Sequence, residues 1–254
     1  DRGRVLCLGM EYVFRSTLIR DVAYEGLLSV QRAGYHGAVA EYLALLCEDD
    51  DRVVSYNFLA YHHHNAGNLP QAALYLLKAA EHCRKIYANT EAMEQYNRIL
   101  GLLDMLESQA PADEERRAYL AQRFKTLDGR RELHFLAGRF ELGWTDAIAL
   151  LPLARQLEDE PVWLIDALLR QPGVSYWRSR EEQMNGVALA EEALALSRKV
   201  EDRHREMRTL GYIVGQRYNL GDPSWLDIAD QVLELARALG DRRYEVGLLI
   251  GVGG

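Results

Sequence analysis

Four histidines are the residues whose spacing most suggests chemistry: His62, His63 and His64 are consecutive, and His82 follows on the next predicted helix. Imidazoles bind Zn²⁺ and related ions. Successive residues of a helix, however, point about 100° apart, so three consecutive rings cannot meet at one ion. Only a pair at three- or four-residue spacing could. We therefore expect core and surface roles for these histidines and predict no metal site.

Other candidate catalytic groups have structural explanations. Cys83 falls on an apolar stripe with Leu76 and Ile86, which predicts a buried structural thiol rather than a nucleophile. Paired carboxylates such as Glu114-Glu115 lie among arginines, as on solvated helix faces. The sequence has no phosphate-binding loop, no Gly-x-Ser-x-Gly elbow and no His-Glu-x-x-His motif. We predict no catalytic residues, no cofactor and no enzymatic activity.

Composition narrows the class of protein. The 254 residues carry a formal net charge of −8, with acids and bases interspersed, which argues against direct binding to nucleic acid. No long apolar run or signal-peptide pattern is present, which predicts no membrane association. Three widely separated cysteines suit a reducing compartment, so a cytoplasmic location is expected. Because the sequence lacks an initiator Met and stops as a new helix begins, we expect a fragment of a longer protein.

A short phrase recurs at the ends of apolar helical segments. It begins with Leu, continues with small, basic and apolar residues, and ends with Asp. Its copies are Leu153–Asp159, Leu196–Asp202 and Leu235–Asp241, spaced 43 and 39 residues apart. Recurrence near this period is typical of stacked helical hairpins, each of which buries its apolar face against its neighbours. The sequence therefore predicts an all-α fold.

One segment resembles the tetratricopeptide repeat, a unit of 34 residues. Counted from Val53, the residues at its characteristic positions are Tyr56, Leu59, Ala60, Gly67, Ala72 and Ala79. Ala60 and Ala72 are small enough for two antiparallel helices to approach closely. The resemblance implies a right-handed superhelical array of antiparallel hairpins.

The chain divides into three segments by pattern. Residues 1–50 form a helical junction, 51–107 hold tetratricopeptide-like repeats, and 113–254 hold further degenerate repeats after the loop around Pro111. A second signature, Ala137-x-x-Phe140-x-x-Gly143 and Gly215-x-x-Tyr218-x-x-Gly221, spans two periods and predicts equivalent positions in two hairpins.

The opening helices carry a longer resemblance. The run from Tyr12 to Leu28 contains Phe-Arg-Ser-Thr-Leu and then Val-Ala-Tyr-Glu-Gly-Leu-Leu, and Ala66-Gly67-Asn68 follows at a hairpin turn. It resembles the junction before the helical repeats of bacterial signal-transduction ATPases of the STAND type, over about residues 11 to 105. Such proteins are often fused to nucleotide cyclases, protein kinases or DNA-binding domains, so the resemblance implies a regulatory setting.

The repeat register also predicts a binding surface. In tetratricopeptide arrays the first helix of each hairpin lines the concave face, and its exposed positions contact a bound segment. Those positions hold Val54, Asn57, Tyr61, His64 and Asn65. Amide groups, a phenol and an imidazole can hold an extended peptide by its backbone. The expected partner is a protein or peptide, including other domains of the same polypeptide.

Two functions follow from this pattern. The first is a non-catalytic protein-interaction and regulatory scaffold within a larger signalling protein. The alternative is an effector-sensing helical repeat domain of a transcription activator or cyclase regulator, in which Trp163, Tyr176 and Trp177 could form an aromatic platform for a small ligand. They differ in whether the repeats present an open groove or enclose a pocket.

Overall fold

A computed structural model describes residues 4–7, 10–48, 56–109, 113–157, 160–171 and 179–252 of the chain. Two compact units, Asp1–Ser108 and Gln109–Gly254, are treated separately below. Helices account for most of the described residues, which confirms the helical fold class. None of the described helices combines the length and apolar character needed to cross a membrane.

The described residues of the first unit form a short β-hairpin followed by five helices. Strands β1 and β2 pair antiparallel, with Arg4 opposite Val13. The elements are β1 (Arg4–Cys7), β2 (Met10–Val13), α1 (Thr17–Glu25), α2 (Ser29–Glu48), α3 (Tyr56–Asn65), α4 (Leu69–Lys85) and α5 (Asn89–Gln109). The hairpin is a departure from the wholly helical junction expected over 1–50. Four residues per strand are too few for an alternating pattern to be recognised in the sequence.

Helices α3 and α4 form an antiparallel hairpin at the predicted register. Gly67 takes a left-handed φ of 81°, and the side chain of Asn68 accepts a hydrogen bond from the Gln71 amide at 3.3 Å to start α4. Ala60 and Ala72, at 1% and 0% exposure, occupy the buried faces of the two helices. The close approach inferred from these small residues is therefore present.

The described residues of the second unit form seven helices in successive pairs. They are α6 (Asp113–Leu136), α7 (Phe140–Gln156), α8 (Pro161–Leu169), α9 (Arg180–Lys199), α10 (Arg203–Leu220), α11 (Trp225–Leu239) and α12 (Arg242–Val252). Each helix packs on the next one in sequence. The core of this unit includes Ile165, Leu168 and Ala193 between α8 and α9, and Met207, Leu210 and Val232 between α10 and α11.

Two copies of the recurring phrase have a local structural role, because each ends one helix and begins the next, while Glu158 and Asp159 of the first copy lie outside the described residues. In its second copy Glu201 takes a left-handed φ of 57°, and Asp202 accepts a hydrogen bond from the Arg205 amide at 2.9 Å. In its third copy Gly240 has a φ of 70°, and Asp241 accepts one from the Tyr244 amide at 3.0 Å. The conserved spacing thus places a turn residue directly before a capping aspartate.

The second signature does not mark equivalent positions. Gly143 lies inside α7 with the Phe135 ring against it, whereas Gly221 ends α10 in a left-handed conformation with a φ of 73°. The turn glycine that corresponds to Gly221 is Gly138, with a φ of 70°. The interpretation of this signature as a repeat was therefore wrong, because glycine serves two physical purposes here.

Ala72→Leu tests the close contact between α3 and α4. We expect it to lower the free energy of unfolding by about 1 to 3 kcal/mol, since the added atoms enter a filled space. Gln71→Leu, on the exposed side of the same helix, is the control and should change the stability little. Urea unfolding measures both; equal effects of the two variants would contradict the packing.

Two glycine-to-alanine substitutions in the second unit should have opposite signs. Gly240→Ala places a Cβ at a left-handed residue and should destabilise by about 1 kcal/mol. Gly215→Ala lies within α10, where an added Cβ meets nothing within 4 Å, and should stabilise by about 0.5 to 1 kcal/mol. Urea unfolding of the two variants beside the wild type compares them. Loss of stability in both would show that the helix assignment at Gly215 is incorrect.

Candidate partner-binding surface

The predicted surface residues share an exposed face of α3. Asn57, Tyr61 and His64 are exposed, with Tyr61 at 49%. Asn65 is half-buried and donates a hydrogen bond from Nδ2 to the Tyr61 carbonyl at 2.8 Å. Val54 lies outside the described residues. The structure thus presents an amide, a phenol and an imidazole side by side on one helix.

The three consecutive histidines point in different directions. His62 turns toward α2, where its Nδ1 lies 2.9 Å from Nδ1 of His36. His63 stacks on Tyr75 of α4, with ring centroids 5.3 Å apart and an interplanar angle of 5°. His64 is exposed. Within the described parts of the chain, no three His, Cys, Asp or Glu side chains are grouped so that they could hold a metal ion.

A chain of hydrogen bonds, the histidine relay, is formed by Tyr24, His36 and His62. Tyr24 Oη lies 2.8 Å from His36 Nε2, and the two Nδ1 atoms of the histidines lie 2.9 Å apart. The relay therefore joins α1, α2 and α3. The Tyr61 ring makes T-shaped contacts with both imidazoles, with centroids 5.5 Å from His36 and 5.4 Å from His62. The candidate surface is thus physically continuous with the relay.

Burial sets the charge state of the relay. It lowers the pKa of His36, which is 7% exposed. The pKa of His62 is lowered by burial first and then by the charges of His36 and His63. Burial also lowers the pKa of His63, against the opposing effect of Glu41. Both relay histidines therefore favour the neutral form, which suits a hydrogen bond between imidazoles.

Aromatic stacking supports α3 on the side that faces α4. Tyr56 and Tyr75 stack with centroids 6.4 Å apart, and His63 also stacks on Tyr75. Lys78 lies over the Tyr75 ring at 5.0 Å and over the Tyr56 ring at 6.0 Å. These contacts fix α3 against α4, so that the candidate surface has a rigid support.

Other residues singled out in the sequence have packing roles. Trp163 meets Phe124 edge to face at 5.0 Å and donates from Nε1 to Glu160. It therefore fills the space between α8 and α6, while Tyr176 and Trp177 lie outside the described residues. Cys83 is half-buried, and burial followed by the charge of Glu91 raises the pKa of its thiol. A protonated thiol is a poor nucleophile.

A second polar feature, the charge ladder, alternates three arginines with three aspartates across α6, α8 and α10. Its members are Arg131, Asp128, Arg170, Asp166, Arg205 and Asp202. Arg170 bridges Asp128 and Asp166, and its Nη1 lies 3.4 Å from Asp166 Oδ1. Arg205 then donates to Asp166 at 2.8 Å and to Asp202 at 2.7 Å. These ion pairs tie the first helices of three successive hairpins together.

The ladder lowers the pKa of two of its carboxylates. Burial opposes the charge of Asp128, but the charge and hydrogen bond of Arg170, followed by those of Arg131, outweigh it and lower the pKa. Hydrogen bonds from Arg205 likewise overcome burial and lower the pKa of Asp202. Each charge of the ladder has an opposite charge beside it, so its role is structural, although Asp166 Oδ1 and Arg205 Nε form no hydrogen bond.

The sequence did not reveal either polar feature. Asp128 and Arg170 are 42 residues apart, and His36 and His62 are 26 apart.

A depression of about 380 Å³ lies where α10 meets α12, and its lining includes Asp241, Arg243 and Tyr244. Gly211 on α10 allows Tyr244 to approach, because a Cβ there would lie 2.0 Å from the phenol oxygen.

Comparison with known proteins gives no family assignment. No protein-family model matches the chain. A search of curated proteins finds no significant match. A function therefore has to be inferred from the geometry of the two units.

Asp166→Asn tests the charge ladder. The amide keeps the shape of the side chain but removes the charge that two arginines share, so we expect a loss of about 1 to 3 kcal/mol in the free energy of unfolding. Asp230→Asn, exposed on α11, is the matched control and should stay within about 0.5 kcal/mol of the wild type. Urea unfolding of both variants supplies the comparison; a neutral Asp166→Asn would remove the ladder from the interactions that stabilise this unit.

Proposed function

We propose that the protein is a non-catalytic, helical-repeat scaffold that binds a protein or peptide partner. The observation that carries the proposal is the exposed face of α3, where Asn57, Tyr61 and His64 lie together on a helix packed firmly against α4. A rigid helix with exposed polar and aromatic groups supplies hydrogen bonds and contact area without a large cost in side-chain entropy.

The chemistry of this face suits an extended peptide. The Asn57 amide can both donate to and accept from a peptide backbone, as two hydrogen-bonding groups of one side chain. Tyr61 adds an aromatic surface and a hydroxyl group, and His64 adds an exposed imidazole ring. By register Val54 belongs to the same surface. We propose that the face lines the concave side of a right-handed array.

The setting we propose is regulatory. The resemblance of Tyr12–Leu28 to the junction of STAND-type signalling ATPases supports a place within a larger cytoplasmic signalling protein, where the partner includes other domains of the same polypeptide. The net charge of −8 supports a protein partner rather than nucleic acid. A membrane role and a bound cofactor are not part of the proposal.

We also propose that the protein has no catalytic activity. It is supported by the way in which titratable groups are used: Tyr24, His36 and His62 hydrogen-bond to one another, and the ladder carboxylates pair with arginines. Such groups stabilise helix contacts. The depression between α10 and α12 favours the alternative of an effector-sensing domain, because it brings Asp241, Arg243 and Tyr244 to one opening.

Selection of a displayed library of short random peptides on the wild-type protein tests the binding face. Asn57→Ala combined with Tyr61→Ala should weaken binding of a selected peptide by at least about tenfold, since both the amide and the aromatic surface are removed. Fluorescence anisotropy with the labelled peptide measures the affinities. Glu81→Ala, exposed on α4, is the control and should bind like the wild type.

Tyr61→Phe separates binding from folding. Because the Tyr61 ring contacts His36 and His62, its complete removal costs about 0.5 to 1.5 kcal/mol of stability, whereas phenylalanine keeps the ring. Asn57→Ala with Tyr61→Phe should therefore melt like the wild type and still lose affinity. Full binding by both double variants would place the site elsewhere. Failure to select any peptide, together with a metabolite that raises the melting temperature, would favour the effector-sensing alternative.

A further inference from the structure

The histidine relay combines two titratable rings with contacts between three helices. His36 uses both ring nitrogens, one toward Tyr24 of α1 at 2.8 Å and the other toward His62 of α3 at 2.9 Å. Its side chain is 7% exposed, so water does not readily replace either contact. Any change in the protonation of this pair therefore acts on the packing of α1, α2 and α3 together.

The hydrogen bonds determine how many protons the relay can hold. With both imidazoles neutral, one hydrogen lies between the two Nδ1 atoms, and the Tyr24 hydroxyl completes the chain. A first added proton makes His36 a donor through both nitrogens, toward Tyr24 Oη and His62 Nδ1, and no contact is lost. A second proton places a hydrogen on each Nδ1, so two donors and two positive charges face each other at 2.9 Å.

The charges around the relay do little to stabilise a second proton on it. Arg32 of α2 lies over the Tyr24 ring at 5.4 Å and adds positive charge beside His36. On α4, Lys78 lies over Tyr75, which stacks on His63. Glu41 of α2 is the acidic group that acts on His63. Tyr61 completes the surroundings with a neutral ring. A second proton is therefore unfavourable while the helices remain in contact.

The neighbouring interface has a different composition. Helices α3 and α4 meet through Leu59, Ala60, Ala72 and Leu76, which are buried and do not titrate, and through the stack of His63 on Tyr75. The charge of Glu41 favours a protonated His63, and the apolar contacts do not depend on pH, so acidification acts mainly on the side of α3 that faces α2. Helix α1 depends on this side, because none of its residues is buried and Leu18, Ile19 and Val22 are all more than half exposed.

We propose that the histidine relay is a pH-sensitive latch. It holds α1 and α2 against α3 while it carries no more than one added proton, and it opens when both histidines are protonated. The latch acts independently of whether the α3 face binds a peptide.

The direction of the pH effect follows from the pKa values. Both relay histidines have a pKa below the 6.5 of an ordinary imidazole, so the open state binds more protons than the closed state. Contact is therefore fully present above pH 6.5 and is lost progressively as the pH falls below it. At a pH about one unit lower, each histidine that stays neutral in the closed state favours opening by up to about tenfold.

Hydrogen exchange of the whole chain tests the latch. Amide protection is measured at about pH 7.5 and about pH 5.5, with rates corrected for the intrinsic pH dependence of exchange. We expect protection in α1 and around His36 in α2 to fall about tenfold or more at the lower pH. Protection in α4 should not change. Equal losses in α1 and α4, or no loss in α1, would overturn the proposal.

Two glutamine variants identify the titrating groups. His62→Gln keeps a hydrogen-bonding partner for His36 but removes the second ring, so the pH-dependent loss in α1 should disappear. His64→Gln, the exposed neighbour, should retain the full loss. A full loss in His62→Gln would contradict the proposal. Should His62→Gln fail to protect α4 at either pH, the wild-type contrast between α1 and α4, with His64→Gln as control, decides the question.

Discussion

Three connections between successive helices in this protein share one local arrangement: a residue in the left-handed conformation followed at once by an Asn or Asp that caps the next helix. Gly67 precedes Asn68, Glu201 precedes Asp202 and Gly240 precedes Asp241. The first residue turns the chain, and the second accepts a hydrogen bond from an amide of the next helix. Antiparallel packing needs both steps within a few residues, because a longer connection would not return the next helix to its neighbour.

This arrangement explains which parts of the fold the sequence could predict. Turn and cap residues are adjacent, so their phrase recurs visibly, and the small residues Ala60 and Ala72 have fixed offsets within one hairpin. Glycine is less informative. Gly143 and Gly221 occupy matching positions in a repeated pattern, yet one lies under an aromatic ring and the other reverses the chain. Spacing alone does not separate these two uses.

The polar contacts could not be predicted in the same way. The partners of His36 and Arg170 come from other hairpins, and only tertiary packing sets their distances. In the sequence, each of these residues has the pattern of an ordinary helix position. The candidate surface is an intermediate case: Asn57, Tyr61 and His64 are exposed, whereas Asn65 donates a hydrogen bond to the Tyr61 carbonyl of its own helix.

The two units use polar groups for different purposes. In the first unit, two imidazoles whose pKa is lowered by burial join helices. In the second unit, guanidinium and carboxylate groups join the helices. Burial alone would lower the pKa of Arg170, but the charge and hydrogen bond of Asp128 raise it. Such pairs keep their charge across the physiological range.

The composition of the charge ladder has a consequence for encounters in solution. Its three arginines and three aspartates cancel, so the formal net charge of −8 belongs to the residues outside the ladder. Neutralised charges contribute little to the potential at a distance. The protein therefore presents a negative electrostatic potential to an approaching molecule. This potential speeds the association of cationic surfaces and slows that of anionic ones, and salt shortens its range.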